Sequence, residues 1–187
     1  MVRDGILYIT VPATEDWDEA NQCFINTKET TLILKHSLVS LSKWEANWRI
    51  SFLDKFGKKN TTVEQILDYV RCMTTNQNVD PNVYRNLTQN NIEEVFEYIG
   101  SSMTATTFSD HQKPVRKRIV TSELLYSWMI DFNIPFQCEK WPLDRLITLM
   151  RVCEAEHRKQ EKGSTRRAMQ RNAEIKRRNR AKKAARK

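Results

Sequence analysis

Glycine and histidine are scarce in this chain of 187 residues, which contains four glycines and three histidines. A loop that cradles phosphate needs closely spaced glycines, and neither a G-x-G-x-x-G run nor a Walker loop is present. The histidines, His36, His111 and His157, are far apart, and no G-x-S-x-G or H-E-x-x-H motif occurs. We therefore expect no catalytic residues and no bound cofactor.

Paired cysteines are also absent, because Cys23, Cys72, Cys138 and Cys153 never form a C-x-x-C motif. In a reducing compartment this pattern is typical of small buried side chains. One metal-like arrangement combines Cys138 with Cys153 and His157, the last two being four residues apart on a predicted helix. Structural zinc sites are usually built from two short-spaced pairs, so we expect no metal site.

Long apolar runs are missing as well. No run approaches the length of about 20 residues that spans a bilayer, and the first residues lack the charged-then-apolar order of a signal peptide. We expect no membrane partner and a protein that acts in the cytosol. Five Trp, seven Phe and five Tyr nevertheless favour a folded domain, because disordered chains are poor in large side chains that become buried.

The basic residues are unevenly distributed. The last thirty residues, 158–187, contain 14 of the 31 Lys and Arg residues and only two acids, which gives this segment a net charge of +12. Because the whole chain carries +8, the preceding 157 residues carry −4. Such a segment attracts phosphates or carboxylates at long range, although a basic terminus can also serve only solubility.

The same segment contains no Phe, Trp or Tyr. Stacking on aromatic side chains contributes about 1 to 3 kcal/mol per base in single-strand binders, and this contribution has no platform here. Any contact with nucleic acid would therefore be with backbone phosphate, sensitive to salt and nearly independent of sequence.

The first 36 residues are predicted to form a small antiparallel sheet. Ile6–Val11 is β-branched and aromatic and is stopped by Pro12. Two more strands are predicted at Gln22–Asn26 and Thr31–His36. The polar segment between them, residues 26–29, is short enough to join the two strands as a hairpin.

Helical periodicity begins at Ser37. The first helix carries a stripe of Leu41, Trp44, Trp48 and Phe52 and ends at Gly57. Its start is predicted either at a capping box beginning with Ser42 or at the earlier serines, Ser37 and Ser40. Later helix starts are indicated by capping residues or by proline at the first position: Thr62, Asp80-Pro81, Thr88, Ser122 and Trp141-Pro142.

Two further interpretations concern the helical part. We expect Trp44, Trp48, Trp128 and Trp141 to lie in the core, although aromatic stripes also anchor partner grooves. The second predicted helix should bury Val63, Ile66, Leu67 and Val70. Residues 101–118 are predicted to form the long loop of the body, and loops of this length are functional or mobile.

The predicted fold class is therefore α+β and mainly α. A folded body spans residues 1–162, with a small antiparallel sheet over 1–36 and helices over 37–162. A basic tail spans residues 163–187, and we expect it to be disordered, or helical when it is bound to a partner.

Several runs resemble a family of small tailed-bacteriophage proteins that are regarded as tail assembly chaperones. The resemblance covers nearly the whole chain, includes the basic tail, and is carried by residues 36–45 (HSLVSLSKWE), 103–108 (MTATTF), 134–141 (IPFQCEKW) and 145–149 (RLITL). It implies a non-enzymatic morphogenesis factor that acts in the host cell cytoplasm, or in the virion, and binds the phage tape measure and tail-tube proteins.

Partner binding is predicted for cations in the loop and the tail: Arg116, Lys117, Arg118, Arg166, Arg167, Arg171, Lys176, Arg177 and Arg178. Two alternatives remain open at this point. One is a nucleic-acid-binding protein that holds phosphate non-specifically through its tail. The other is a structural head or tail connector of the virion. The sequence does not decide whether the protein forms oligomers.

Overall fold

Strand and helix patterns along the chain produce an α+β fold that is mainly helical, as predicted. The computed structural model describes residues 1–19, 22–58, 61–108 and 119–184. It divides into two compact units, Met1–Thr148 and Leu149–Lys187. The first unit contains all of the strands described below and every helix except most of the last one.

The predicted strand Ile6–Val11 (β2) alternates apolar and polar residues and is the central strand of a three-stranded antiparallel sheet. Leu7, Ile9 and Val11 are buried, whereas Tyr8 and Thr10 are exposed. The neighbours of β2 are β1 (Val2–Arg3) and β5 (Thr30–Leu34). This sheet packs against the helix Gln89–Gly100, so that its apolar face forms part of the core.

The predicted hairpin between residues 22–26 and 31–36 is wrong. The strand at Cys23–Thr27 (β4) pairs with an unpredicted strand, Thr14–Asp18 (β3), and β5 pairs with β2 instead. The sequence TEDWD of β3 has no apolar alternation, so it gave no strand signal. Cross-strand contacts with β4 stabilise β3. These contacts cannot be predicted from the sequence of β3 alone.

The first helix, Leu38–Trp48 (α1), begins after Ser37, which forms a reciprocal capping box with Ser40. The alternative box at Ser42 is therefore wrong, because Glu45 points into the core instead of back along its own helix. The single predicted helix to Gly57 is also wrong. Arg49 ends α1 in the left-handed conformation, and Phe52–Lys55 forms a separate short helix, α2.

Three of the predicted capping residues are confirmed, whereas the helix that begins at Ser122 has Thr121 as its N-cap residue. Thr62, Asp80 and Thr88 each accept a backbone N–H at a helix start, as predicted. The remaining helices are α3 (Val63–Met73), a 3₁₀ helix (Pro81–Asn86), α4 (Gln89–Gly100), α5 (Ser122–Asp131), a second 3₁₀ helix (Phe136–Lys140) and α6 (Leu143–Ala184).

Trp44 lies at the centre of an aromatic core between α1, α2 and α3. It is fully buried, meets the rings of Phe52 and Tyr69 edge-on, and donates its indole N–H to the backbone oxygen of Gln65 at 2.9 Å. The core position predicted for Trp44 is thus confirmed. The other three tryptophans assigned to the core, Trp48, Trp128 and Trp141, are partly buried.

The core face predicted for α3 is correct only toward its end. Val63 is 66 % exposed, so its core assignment is wrong, and Ile66 and Leu67 are half-buried. The fully buried side chains of α3 are Tyr69, Val70 and Met73, which lie in its last turns. The helical periodicity identified the apolar stripe of α3, but it did not show which part of that stripe other elements cover.

Candidate interaction surfaces

The unit from Leu149 onward is formed by the remainder of α6. Between Glu156 and Arg178 every side chain that the structure describes is exposed. We call residues 158–184 of α6 the basic helix. Because its described side chains are not buried, the cations among them are accessible to a partner in solution.

The structure places the predicted partner-binding residues of the tail within the basic helix. Arg171, Lys176, Arg177 and Arg178 are exposed on it, and Arg166 and Arg167 belong to the same helical segment. The loop cations Arg116, Lys117 and Arg118 lie outside the described residues. The expectation that a partner orders the tail stays a prediction.

Ion pairs within one or two turns support the helical conformation of this unit. They are Arg158 with Glu154 at 2.5 Å, Lys159 with Glu156 at 2.6 Å, and Arg178 with Glu174 at 3.2 Å. Such pairs contribute about 0.2 to 0.5 kcal/mol each on exposed helices, so they do not replace a packed core.

Two apolar side chains interrupt the polar surface of the basic helix. Met169 is 67 % exposed and Ile175 is 49 % exposed. Arg171, Ile175 and Arg178 are spaced at i, i+4 and i+7 and therefore share one face of the helix. This face offers two cations with an apolar side chain between them.

The described part of the predicted long loop, residues 101–108, contains no helix or strand. Its start is fixed by Asp144, whose Oδ2 atom accepts hydrogen bonds from the backbone N–H of Met103 at 2.9 Å and from the Ser102 hydroxyl at 3.3 Å. An open cavity of about 600 Å³ adjoins it, lined in part by Gly5 and Arg145. The assignment of partner docking to this loop is a prediction that these contacts leave untested.

A polar cluster lies within the core of the first unit. The Nδ1 atom of His36 is 2.5 Å from the hydroxyl of Tyr69, and the backbone N–H of His36 donates to the hydroxyl of Tyr98 at 3.0 Å. Tyr98 in turn donates to the backbone oxygen of Gly5 at 2.7 Å. The backbone oxygen of His36 accepts from the backbone N–H of Leu143 at 3.0 Å. Hydrogen bonds therefore connect His36, which follows β5, to α3, α4 and α6, and through Tyr98 to the turn between β1 and β2.

Burial controls the ionisation of this cluster. It lowers the pKa of His36 to about 4, although the nearby carboxylate of Asp144 opposes that shift. Burial also raises the pKa of Tyr69 well above its ordinary value. At neutral pH His36 is therefore neutral and Tyr69 is protonated, which suits the cluster to hydrogen bonding between elements.

A buried carboxylate joins three helices in a similar way. Glu45 on α1 is 7 % exposed, and its Oε1 atom accepts from the backbone N–H of Phe52 at 2.7 Å. Its Oε2 atom accepts from the backbone N–H of Ser122, also at 2.7 Å. One side chain thus supplies an acceptor to the first N–H of both α2 and α5, where helices leave donors unpaired.

Among the residues that the structure describes, no group of three or more His, Cys, Asp or Glu side chains could hold a metal ion. Cys72, Cys138 and Cys153 are free thiols, and burial raises the pKa of Cys72 to about 11. Within the described ranges, no helix has both the length and the apolar character needed to cross a bilayer.

Sequence reasoning missed a second exposed surface, on the β3–β4 sheet. Trp17 and Phe24 are directly opposite each other, with ring centroids 4.8 Å apart, and they are 52 % and 61 % exposed. We call residues 12–19 and 22–27 the acidic hairpin, because they contain four acids and no Lys or Arg. The acids around Trp17 were the feature of the sequence that could have indicated this surface, but no helix or strand is predicted at these residues.

Comparison with known proteins finds no family model, no curated protein and no solved structure that matches this chain.

Proposed function

We propose that this protein is a tail morphogenesis factor of a tailed bacteriophage, a tail assembly chaperone that binds the tape measure and tail-tube proteins in the host cell cytoplasm. The resemblance of residues 36–45, 103–108, 134–141 and 145–149 to such chaperones supports the class of protein. The observation that carries the mode of binding is the basic helix, whose described side chains are all exposed.

Charge separation favours a division of labour between the first 157 residues and the last thirty. The first 157 residues carry a net charge of −4 and the last thirty carry +12. A cationic surface accelerates encounter with acidic faces of a partner and selects against basic ones. In this proposal the folded body supplies shape, and the basic helix supplies electrostatic attraction for acidic faces of the tape measure or tail-tube protein.

Co-purification tests the proposal. The full chain is co-expressed with the tape measure and tail-tube proteins, treated with nuclease, and recovered at low and at high salt. We expect a nuclease-resistant protein complex that weakens as salt rises, because exposed charges are screened beyond about 8 to 10 Å at physiological ionic strength. A complex that forms equally well at high salt would contradict the electrostatic mode of binding.

A matched pair of variants isolates the basic helix. The test variant replaces four exposed cations of this helix with glutamine, at Arg171, Lys176, Arg177 and Arg178. The control replaces four exposed cations of the first unit, Lys28, Lys43, Arg85 and Lys140, and so removes the same charge. We expect the test variant to lose the partner at low salt and the control to retain it.

Nucleic-acid binding is the second candidate function, because the same exposed cations suit phosphate oxygens. It predicts recovery with nucleic acid that is lost after nuclease treatment, and an affinity that falls steeply with salt in proportion to the phosphates contacted. Recovery of the protein in stoichiometric amounts from purified particles would instead support the virion connector.

A further inference from the structure

The acidic hairpin exposes an aromatic pair on a defined face. Residues that are directly opposite in an antiparallel sheet point to the same side, so Glu15, Trp17, Phe24 and Asn26 share one face. All four side chains are exposed. In the described part of the chain, the outer edges of β3 and β4 pair with no other strand. Large aromatic side chains exposed in this way mark interaction surfaces more often than isolated surface residues do.

The base of this hairpin is anchored, although its aromatic face is not covered. Thr14 and Thr27 are 2.6 Å apart at their hydroxyls, and Thr27 is buried. The side-chain amide of Asn86 donates to both hydroxyls, at 2.5 Å and 2.7 Å. A two-stranded ribbon alone is marginally stable, so this anchor holds the aromatic face in position while it remains open to solvent.

The chemistry of this face selects a cationic partner with some apolar character. Residues 12–27 contain Glu15, Asp16, Asp18 and Glu19 and no compensating base. Arginine stacks on aromatic rings and pairs with carboxylates. An Arg-rich helix with an apolar side chain among its cations would satisfy both features.

We propose that the acidic hairpin of one copy binds the basic helix of a second copy of this chain. The helix face formed by Arg171, Ile175 and Arg178 has an apolar side chain between two cations. The hairpin has the aromatic Trp17 between two acids along the chain, so the two surfaces have complementary sequences of charged and apolar groups. The two cations of the helix face are about 10 Å apart along the helix axis. Glu15 and Glu19, which are both exposed, flank Trp17 along the chain by two residues on each side and are separated by at most about 13 Å.

This contact joins two different surfaces and is therefore heterologous. Each copy that uses its hairpin still offers its basic helix, so the contact can repeat into a ring or an open chain of copies. The inference goes beyond the proposed function and is tested on the purified chain alone. Its failure is therefore distinct from a failure to bind tail proteins.

Charge exchange in the full chain tests the proposal. One variant carries Glu15→Lys and Glu19→Lys, and a second carries Arg171→Glu and Arg178→Glu. Sedimentation velocity over a wide range of concentration measures self-association at low ionic strength. We expect each variant alone to associate at least about tenfold more weakly than the unmodified chain, because like charges then face each other. An equimolar mixture of the two variants should recover the lost association. In the mixture the unchanged hairpin of the second variant meets the unchanged basic helix of the first, and the new lysines of the first meet the new glutamates of the second.

A matched control changes the same charge elsewhere. Glu93→Lys with Glu97→Lys alters two exposed acids of α4 and should leave self-association unchanged. Trp17→Ala with Phe24→Ala removes the rings without changing charge and should weaken association, while circular dichroism verifies that the fold is retained. A chain that stays monomeric throughout, or a mixture of exchanged variants that does not recover, would overturn the proposal.

Discussion

Acidification should destabilise this protein through His36, and the structure gives the size of the effect. His36 is 9 % exposed, and its ring lies against Phe52, Tyr69 and Tyr98. Burial lowers its pKa from 6.5 to about 4, with the charge of Asp144 only partly opposing the shift. Protonation of the folded protein must therefore place a cation among aromatic rings, whereas protonation of the unfolded chain does not.

The sign and the size follow from proton linkage. Well above pH 6.5 the ring is neutral in both states, so its contribution to stability is complete. Between pH 6.5 and about 4 the unfolded chain binds a proton that the folded protein does not, so the free energy of unfolding falls as pH falls. Since each pKa unit corresponds to 1.36 kcal/mol, the total loss from this residue is about 3 kcal/mol.

Urea unfolding of the unmodified chain and of His36→Asn, at neutral pH and near pH 4, measures this loss. Asparagine keeps an acceptor near the position of Nδ1 but does not titrate. The substitution leaves every carboxylate in place, so the difference between the two unfolding free energies isolates the effect of His36. We expect that difference, unmodified minus variant, to fall by about 3 kcal/mol on acidification. A difference that is equal at both pH values would refute the reasoning.

Three further substitutions test individual contacts by thermal or chemical unfolding. Glu45→Gln should cost about 1 to 3 kcal/mol, because its amide nitrogen must face the backbone N–H of Phe52 or of Ser122; unchanged stability would contradict the double cap. Ser122→Ala should change stability by less than about 1 kcal/mol or increase it, because the buried Ser122 Oγ has no hydrogen-bond partner among the residues that the structure describes; a large loss would contradict this. Gly5→Ala should cost at least about 1 kcal/mol, because Gly5 has a φ of +73° and an added Cβ would lie 2.6 Å from Cγ of Pro142; an unstrained variant would show that the turn can relax.

Local signals in the sequence were sufficient for much of the helical part. Thr62, Asp80 and Thr88 were identified as helix starts because capping depends on atoms within three residues of the cap. The strand at Ile6–Val11 could be predicted because its apolar and polar residues alternate, and the same residues alternate between buried and exposed in β2. Each of these features can be read within one short segment.

Strand pairing and helix breaks required distant residues. The partner of β4 is decided by the contact of Trp17 with Phe24 and by the anchor at Asn86, which is 59 residues from Thr27. The break between α1 and α2 occurs where the carboxylate of Glu45 accepts from Phe52 and from Ser122, 77 residues away. No periodic pattern encodes such contacts.

The candidate surfaces divide in the same way. Composition alone located the basic helix, because a net charge of +12 within thirty residues needs no tertiary information. The acidic hairpin became a surface only when the fold placed Trp17 opposite Phe24 and left both rings exposed. By itself the sequence determined the helix starts at Thr62, Asp80 and Thr88, the fold class and the charge asymmetry, since these depend on neighbours along the chain. Tertiary structure decided strand pairing, the roles of His36 and Glu45, and which aromatic residues face solvent, since burial is a property of the assembled core.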